Sequence, residues 1–524
     1  MSKQFYITTA IDYVNGHPHL GHAYEKVITD VIARGRRSLG EEAFYLTGLD
    51  EHGQKVQQAA LADGKETQAY CDELAASWQT FSTTLGISNG DFVRTTQARH
   101  KQVVSAILSK LHANGHFYKS RYEGFYSTRQ ESFLTDKDRN EDGSWPEIYG
   151  EVSELSEENY YFRLSDHQQW LIDHIEANED FVSPPTRRNE VLGLLKNNEL
   201  EDLCISRPKE RLTWGIPLPF DSDYVTYVWF DALTNYITVP AARGDKAVLE
   251  PLGLDAIDEP QCDVSNASLW PADAHVIGKD ILKFHAVYWP IMLHVAEVPL
   301  PKQILVHGWW QKDGDKISKT TGNIVEPVQI IEDWGLDAFR YYVVRELDIG
   351  PDGNWTDEGF AARYNAELVN GLGNLLNRSL KMLGRYRDGV VPARSDELAD
   401  EVSGIVAEVR ASLGSNRLQA ALTGIWKIVS VGNKYVDSTE PFKLAKDPEK
   451  AERLDEILYN LVETSRILAV LIDPFLPGTA ARMRDQLAWS GSTGRLDDAA
   501  WGALEGGHKI GEPEALFPRR ETRA

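Results

Sequence analysis

Within its first 39 residues the sequence changes period. Phe5-Tyr6-Ile7-Thr8-Thr9 is a short β-type run, and Ala23 to Leu39 carries a helical pattern. The stretch Ile11-Asp12-Tyr13-Val14-Asn15-Gly16-His17-Pro18-His19-Leu20-Gly21-His22 joins them. A helix N-terminus presents unpaired backbone N–H groups and a partial positive charge. A glycine there lets the backbone approach a ligand closely. With His19 and His22 on either side of Gly21, the hand-over from strand to helix is a place to hold a phosphate.

The first 115 residues keep the rhythm of short apolar runs and longer helical patterns. Ala43-Phe44-Tyr45-Leu46-Thr47-Gly48 reads as a strand, and Gln54–Asp63, Thr67–Leu85 and His100–Asn114 read as helices, the last with Val103, Val104, Ile107, Leu108 and Leu111 on one face. Alternating β and α predicts a Rossmann-like, doubly wound parallel sheet, whose ligands bind beyond the carboxyl ends of the strands. From about 116 to 225 mixed aromatics and charges break the rhythm, as an insertion into the sheet would. The pattern resumes at Tyr224–Phe230, expected to be a strand, and continues through His275–Gly278 and Ile304–Gly308. Beyond Gly359 the chain reads as almost all helical.

A chain of 524 residues predicts several domains. No apolar signal-type core opens it and no run of 18 apolar residues occurs, so a soluble cytoplasmic protein is expected. Cys71, Cys204 and Cys262 are scattered, without a CxxC pair. The net charge of −24 opposes a broad nucleic-acid-binding surface. From Asp357 onward, however, 22 Lys and Arg nearly balance 25 Asp and Glu, which leaves room for a local basic face.

Lys316-Ile317-Ser318-Lys319-Thr320, between Gly314-Asp315 and Gly322-Asn323, is a cationic turn. Lysine acts on phosphate as a point charge. Alone such a turn is a weak signal; paired with His19-Leu20-Gly21-His22 it is expected to stabilise charge growing on a triphosphate under attack.

This pair of motifs resembles the two signatures of class I aminoacyl-tRNA synthetases. Further blocks narrow the resemblance to the methionyl-tRNA synthetase family: Thr9–Gly16, Leu46–Gly53, Ser206-Arg207-Pro208, Trp214-Gly215-Ile216-Pro217, Tyr227–Ala232 and Ile277–Ile281. The resemblance runs collinearly from about residue 4 to about residue 490. It implies His19, His22, Lys316 and Lys319 as catalytic residues acting on the ATP phosphates. Gly21, Glu25, His307 and Gly308 would hold the nucleotide together with Lys319. Ala10, Ile11, Tyr13, Trp229, Ala232, Tyr236, Ile281 and His285 would form the methionine pocket, with Asp50 on the substrate ammonium. An aromatic wall suits a thioether, since sulfur–aromatic contacts are worth about 0.3–1.5 kcal/mol each.

The implied reaction is methionine activation by ATP, accompanied by Mg²⁺, followed by transfer of the methionyl group to the terminal adenosine of tRNA(Met) for initiation and elongation. The implied domains are 1–115 and 226–324 as two catalytic halves, 116–225 as a connective insertion, 325–360 as a linker, and 361–524 as an anticodon-binding helix bundle. In the bundle, Asn374 and Arg378 lie one turn apart and would contact bases. Pro441-Phe442 matches a Pro-Trp element of the family, with Phe in place of Trp. Many members carry CxxC zinc pairs in the insertion. Here Ser127 and Gln130 stand at ligand positions, no cysteine lies between 118 and 165, and no structural zinc is expected. Phe125, Tyr126, Phe133 and Trp145 would fill that knuckle. The additional C-terminal module of some members is not expected here, and a monomer is. The competing readings are another class I synthetase or an inactive tRNA-binding paralogue.

Overall fold

The computed structural model describes all residues except 1, 2, 15, 17, 128, 130, 131, 135, 141, 259–267, 317–324 and 521–524, and leaves out the side chains of 122, 132, 133, 155, 315 and 316. Two compact units emerge. One comprises Met1–Pro18, Phe44–Thr83 and Asn89–His307, the other His19–Ala43, Thr84–Ser88 and Gly308–Ala524.

The first unit is built on a sheet whose central strands follow the order Ala43–Asp50, Phe5–Thr9, Ala274–Gly278, Ile304–His307, Val182–Ser183, with Asp91–Arg94 also paired to Ala43–Asp50. The pairs are parallel: Ile7 faces Ala274, Val276 faces Leu305, and Leu46 faces Asp91. Parallel strands are covered on both faces and therefore read as unbroken apolar runs. Ala274–Gly278 and Ile304–His307 are indeed buried throughout. Gly48 is required here, because a Cβ would lie 2.1 Å from the Val93 carbonyl of the neighbouring strand. The edge strand Val182–Ser183 comes from within the span read as insertion. The same span also holds helices Gln168–Ala177 and Pro185–Asn197 and a long antiparallel hairpin of Phe117–Ser127 with Val152–Phe162, joined by Ser132–Leu134 and Leu203–Cys204. The hairpin's tip is held by Trp145, 5.1 Å from the Phe125 ring, with the Arg139 guanidinium 4.0 Å over Trp145. Tyr126 is buried beneath Arg211, while the Phe133 side chain lies outside the described residues.

One sequence expectation is corrected. Tyr224–Phe230 is not one strand of the main sheet. Asp221–Thr226 pairs antiparallel with Ser206–Pro208 and Pro217–Leu218, and the chain turns at Tyr227 into a helix, Val228–Leu233, followed by Asn235–Ala242. β-branched and aromatic residues favour strands because they fit a half-buried pleated surface. In this helix Val228, Phe230 and Leu233 are buried, and burial overrides the propensity.

In the second unit, helix Leu20–Ser38 packs with helices Leu336–Glu346, Ala399–Gly414 and Leu418–Thr439. Asp30 forms a fully buried ion pair with Arg340 at 2.8 Å, and Arg340 also donates to the carbonyls of Leu85, Pro474 and Phe475. The helical run from Asp357 includes a π stretch, Tyr364–Gly373, and then Asn374–Arg387, Ala399–Gly414, Leu418–Thr439, Ala451–Leu471 and Pro477–Gln486. A small sheet joins Trp310–Lys312 to Asp315–Lys316 and Gly353–Trp355. Among the described residues no helix is long and apolar enough to cross a membrane.

Candidate active site

In the first unit, Tyr236 and His285 meet. The Tyr236 hydroxyl lies 2.6 Å from His285 Nε2, and His285 Nδ1 lies 2.9 Å from the Ile281 carbonyl. A carbonyl only accepts, so Nδ1 carries the proton and Nε2 accepts from the tyrosine. Burial lowers the His285 pKa to about 4, which keeps the ring neutral near pH 7. Tyr236 in turn stacks on His275, with ring centroids 4.1 Å apart. Trp289 donates to His275 Nε2 at 3.2 Å, so His275 Nδ1 bears the proton toward Thr8 Oγ1 at 2.8 Å. Burial, with His285 nearby, drives the His275 pKa well below its usual value. A strand, a helix and a π turn thus present an apolar wall with neutral polar edges.

The other pocket candidates lie on the same unit. Trp229 lies flat on Phe284 at 3.7 Å, and Ala232 is buried one turn further along the same helix. Ala10 continues strand Phe5–Thr9 and donates its N–H to the Val276 carbonyl at 3.2 Å; Ile11 is half-buried. Tyr13 stands in register with Asp50 in a parallel pair, and Lys55 Nζ lies 5.5 Å over the Tyr13 ring. Asp50 ends the strand Ala43–Asp50; its carbonyl accepts from Val14 and its Oδ1 from the His52 N–H at 3.4 Å.

Behind Asp50 lies a buried carboxylate that the sequence reading did not single out. Asp231 accepts from His52 Nδ1 at 2.6 Å and His100 Nε2 at 2.7 Å. Burial pushes its pKa up, but the two imidazoles together outweigh burial and hold it at about 2. Phe284, His275 and Trp289 were also missed. A carboxylate inside the apolar run Val228–Leu233 was the legible signal for Asp231. The Phe284 stack has no comparable mark in the sequence.

In the second unit the phosphate motif is a helix cap. His19 is the N-cap of Leu20–Ser38 and accepts the Gly21 N–H at Nδ1, 3.1 Å away; His22 Nδ1 accepts the His19 N–H at 3.2 Å. The two rings lie 3.8 Å apart. Because a backbone N–H can only donate, each ring carries its proton on Nε2, the form that can donate to a phosphate oxygen. A Cβ on Gly21 would stand 3.0 Å from His19 Cε1, so only glycine leaves the His19 ring where it is. Glu25 is buried in the second turn of helix Leu20–Ser38. His307 ends the last main-sheet strand of the first unit and is buried. Gly308 follows it, and a Cβ there would lie 2.1 Å from the Pro351 carbonyl. Lys316 lies in a strand whose side chain is not described, and Lys319 falls outside the described residues.

In the helix bundle Asn374 and Arg378 lie on Asn374–Arg387. Asn374 Nδ2 donates to Asn433 Oδ1 at 3.4 Å, and Arg378 pairs with Asp437 at 3.0 Å. Pro441 is buried, whereas Phe442 beside it is 43 % exposed. At the insertion's tip, the Ser127 hydroxyl donates to the Tyr149 carbonyl at 2.6 Å. Cys71 and Cys204 are free and buried, and burial raises both thiols.

The family model described as tRNA synthetases class I (M) matches residues 5–148 and 143–380, a match that spans the parallel sheet and its insertion and places the chain in that class. A second, the anticodon binding domain of methionyl tRNA ligase, matches 387–522. Methionine–tRNA ligase of Bacillus subtilis is 41% identical over 540 residues, covering 99% of this chain and 78% of that protein. The Rhizobium meliloti enzyme of the same name is 41% identical, covering 99% and 98%. The solved structure of Mycobacterium tuberculosis methionyl-tRNA synthetase in complex with methionyl-adenylate has a TM-score of 0.88 and 37% identity, covering 99% of this chain and 100% of that one. The chain belongs to the methionyl-tRNA synthetase family.

Proposed function

We propose that the chain activates methionine with ATP, releasing pyrophosphate, and then transfers the methionyl group to the terminal adenosine of tRNA(Met). The Tyr236–His285 pair carries this reading. An apolar aromatic wall edged by a neutral imidazole and a hydroxyl suits a thioether, while a charged side chain would lose its hydration there without compensation. Trp229, Ala232, Ala10, Ile11, Tyr13 and Ile281 complete the pocket, and Asp50 takes the substrate ammonium. The methionine carboxylate attacks the α-phosphate. His19 and His22 donate to the phosphates, and Lys316 and Lys319 neutralise the charge that grows on the leaving pyrophosphate. Gly21, Glu25, His307 and Gly308 hold the nucleoside. Mg²⁺ bound to ATP would neutralise part of the charge of its phosphates. The protein supplies position and charge, without a covalent nucleophile.

In this proposal residues 1–115 and 226–324 form the catalytic halves, 116–225 the insertion and 325–360 the linker. Residues 361–524 read the anticodon through Asn374, Arg378, Pro441 and Phe442. The insertion's tip is zinc-free: a serine hydroxyl engaged with a carbonyl is a poor zinc ligand, and the Phe125, Trp145 and Arg139 stack fills that space. The enzyme works in the cytoplasm as a monomer and serves initiation and elongation alike.

Methionine-dependent ATP–pyrophosphate exchange tests the proposal. Exchange with another amino acid but not with methionine overturns it, and so does no exchange at all. Lys319→Ala is expected to cut the exchange rate by about 100-fold or more while leaving the methionine KM near the parent value. A change confined to KM would remove Lys319 from the transition state.

A further inference from the structure

Asp231 sits in the short apolar helix Val228–Leu233 with no solvent exposure. Its two oxygens are divided between two imidazoles, His52 Nδ1 on Oδ2 and His100 Nε2 on Oδ1. The chain of contacts continues from His100 Nδ1 to Thr238 Oγ1 at 2.8 Å, and the Thr238 hydroxyl donates to the Thr234 carbonyl at 3.1 Å. One carboxylate therefore ties together the loop after Asp50, helix Ala98–Ala113, and the helical segment from Val228 to Ala242.

A buried charge is costly, and an apolar cluster of the same shape would stabilise the fold at least as well. What the carboxylate supplies is direction. His52 stands two residues after Asp50, and its backbone N–H points at Asp50 Oδ1 while its ring is held by Asp231. Asp231 lies between Trp229 and Ala232, the residues that wall the side-chain pocket. The loop bearing Asp50 is further pinned by Trp214, whose indole donates to the Glu51 carbonyl at 2.6 Å and whose ring stands 5.6 Å from His52. Rotation of His52 about its side-chain bonds would free the loop that carries Asp50 from the helix that carries Trp229.

We infer that Asp231 is a positioning residue: through His52 it fixes the Asp50 carboxylate, which takes the substrate ammonium, relative to the Trp229–Ala232 wall, which takes the substrate side chain. The inference rests on the reading of Asp50 given above. It concerns methionine alone, so the ATP site should not register its loss.

The test is steady-state ATP–pyrophosphate exchange with the full chain, in Asp231→Asn, His52→Ala, His52→Asn, Asp50→Asn and the double variant Asp50→Asn/Asp231→Asn, each checked for an intact thermal midpoint. Asp231→Asn and His52→Ala are expected to raise the methionine KM by about ten-fold or more, the worth of a hydrogen bond to a charged group, with the ATP KM unchanged. His52→Asn restores the methionine KM, because an asparagine amide donates from the place of Nδ1. In the double variant Asp231→Asn adds little to the effect of Asp50→Asn, since the two act on one interaction. Additive effects, an equal rise in the ATP KM, or His52→Asn as damaging as His52→Ala would overturn the inference. An Asp50→Asn variant with an unchanged methionine KM would overturn the Asp50 reading itself, and a harmful Asp50→Asn with additive Asp231→Asn would overturn only the positioning role. If Asp231→Asn does not fold, the His52 pair decides alone.

Discussion

Tyr236 donates its hydroxyl proton to His285 Nε2 across 2.6 Å, and that bond exists only while His285 stays unprotonated. Burial lowers the His285 pKa from 6.5 to about 4. Between those values the unfolded chain binds a proton that the folded chain does not. Stability is therefore at its full value above about pH 6.5 and falls as pH drops toward 4, by up to about 1.4 kcal/mol per pH unit from this group. His275, lowered by the same burial, adds a contribution of the same sign. The thermal midpoint should decline through this window, and His285→Gln should decline less steeply. Parallel curves for variant and parent would remove His285 as the source.

Gly21→Ala separates cap geometry from helix stability. The residue lies in the first turn of Leu20–Ser38, where alanine is a better helix former than glycine by about 1 kcal/mol. Its Cβ, however, would press on the His19 ring at 3.0 Å. The variant should keep or slightly raise the thermal midpoint while losing exchange activity by about 10-fold or more, the scale of a lost charge-stabilising donor. Unchanged activity would show that His19 need not hold this position.

How much of this was legible in the sequence depends on which physical signal each element carries. The strand Phe5–Thr9 and the helix Leu20–Ser38 were readable because a change of hydrophobic period coincides with a histidine–glycine cap. Helix Ala98–Ala113 was readable from its apolar stripe. Val228–Leu233 was misread because Val, Trp and Phe favour strands, and only tertiary burial makes them helical. The Tyr236–His285 contact was expected only as two members of one pocket. Its tautomer depends on the Ile281 carbonyl, which no side-chain pattern reveals. The same holds for Asp231, whose partners lie 179 and 131 residues away in the chain.

Phe442 tests the bundle separately from the chemistry. At 43 % exposure its ring contributes little to the core, so Phe442→Ala should shift stability by no more than about 0.5 kcal/mol. Stacking of a base on an aromatic ring is worth about 1–3 kcal/mol. The tRNA KM in aminoacylation should therefore rise by about 5- to 100-fold, with methionine-dependent exchange unaltered. Phe442→Trp, which enlarges the stacking face, should lower that KM. An unchanged tRNA KM in both variants would take Phe442 out of anticodon reading.

Arg340 shows what a buried charge costs when its partner is removed. Its guanidinium pairs with Asp30 and donates to three carbonyls, with both side chains fully buried. Burial pushes the Asp30 pKa up, but Arg340, Arg34 and Ser88 together hold it below 3.8, so this stability is present above pH 3.8 and lost as pH falls below it. Arg340→Met fills much of the same volume but leaves Asp30 under-compensated and three carbonyls without a donor, at a cost of about 3–5 kcal/mol. Pairing it with Asp30→Asn should return part of that loss, because the stranded charge is then gone. Midpoints in urea for the two single variants and the double variant measure this directly. A double variant no more stable than Arg340→Met would show that the lost carbonyl contacts, rather than the stranded carboxylate, carry the penalty.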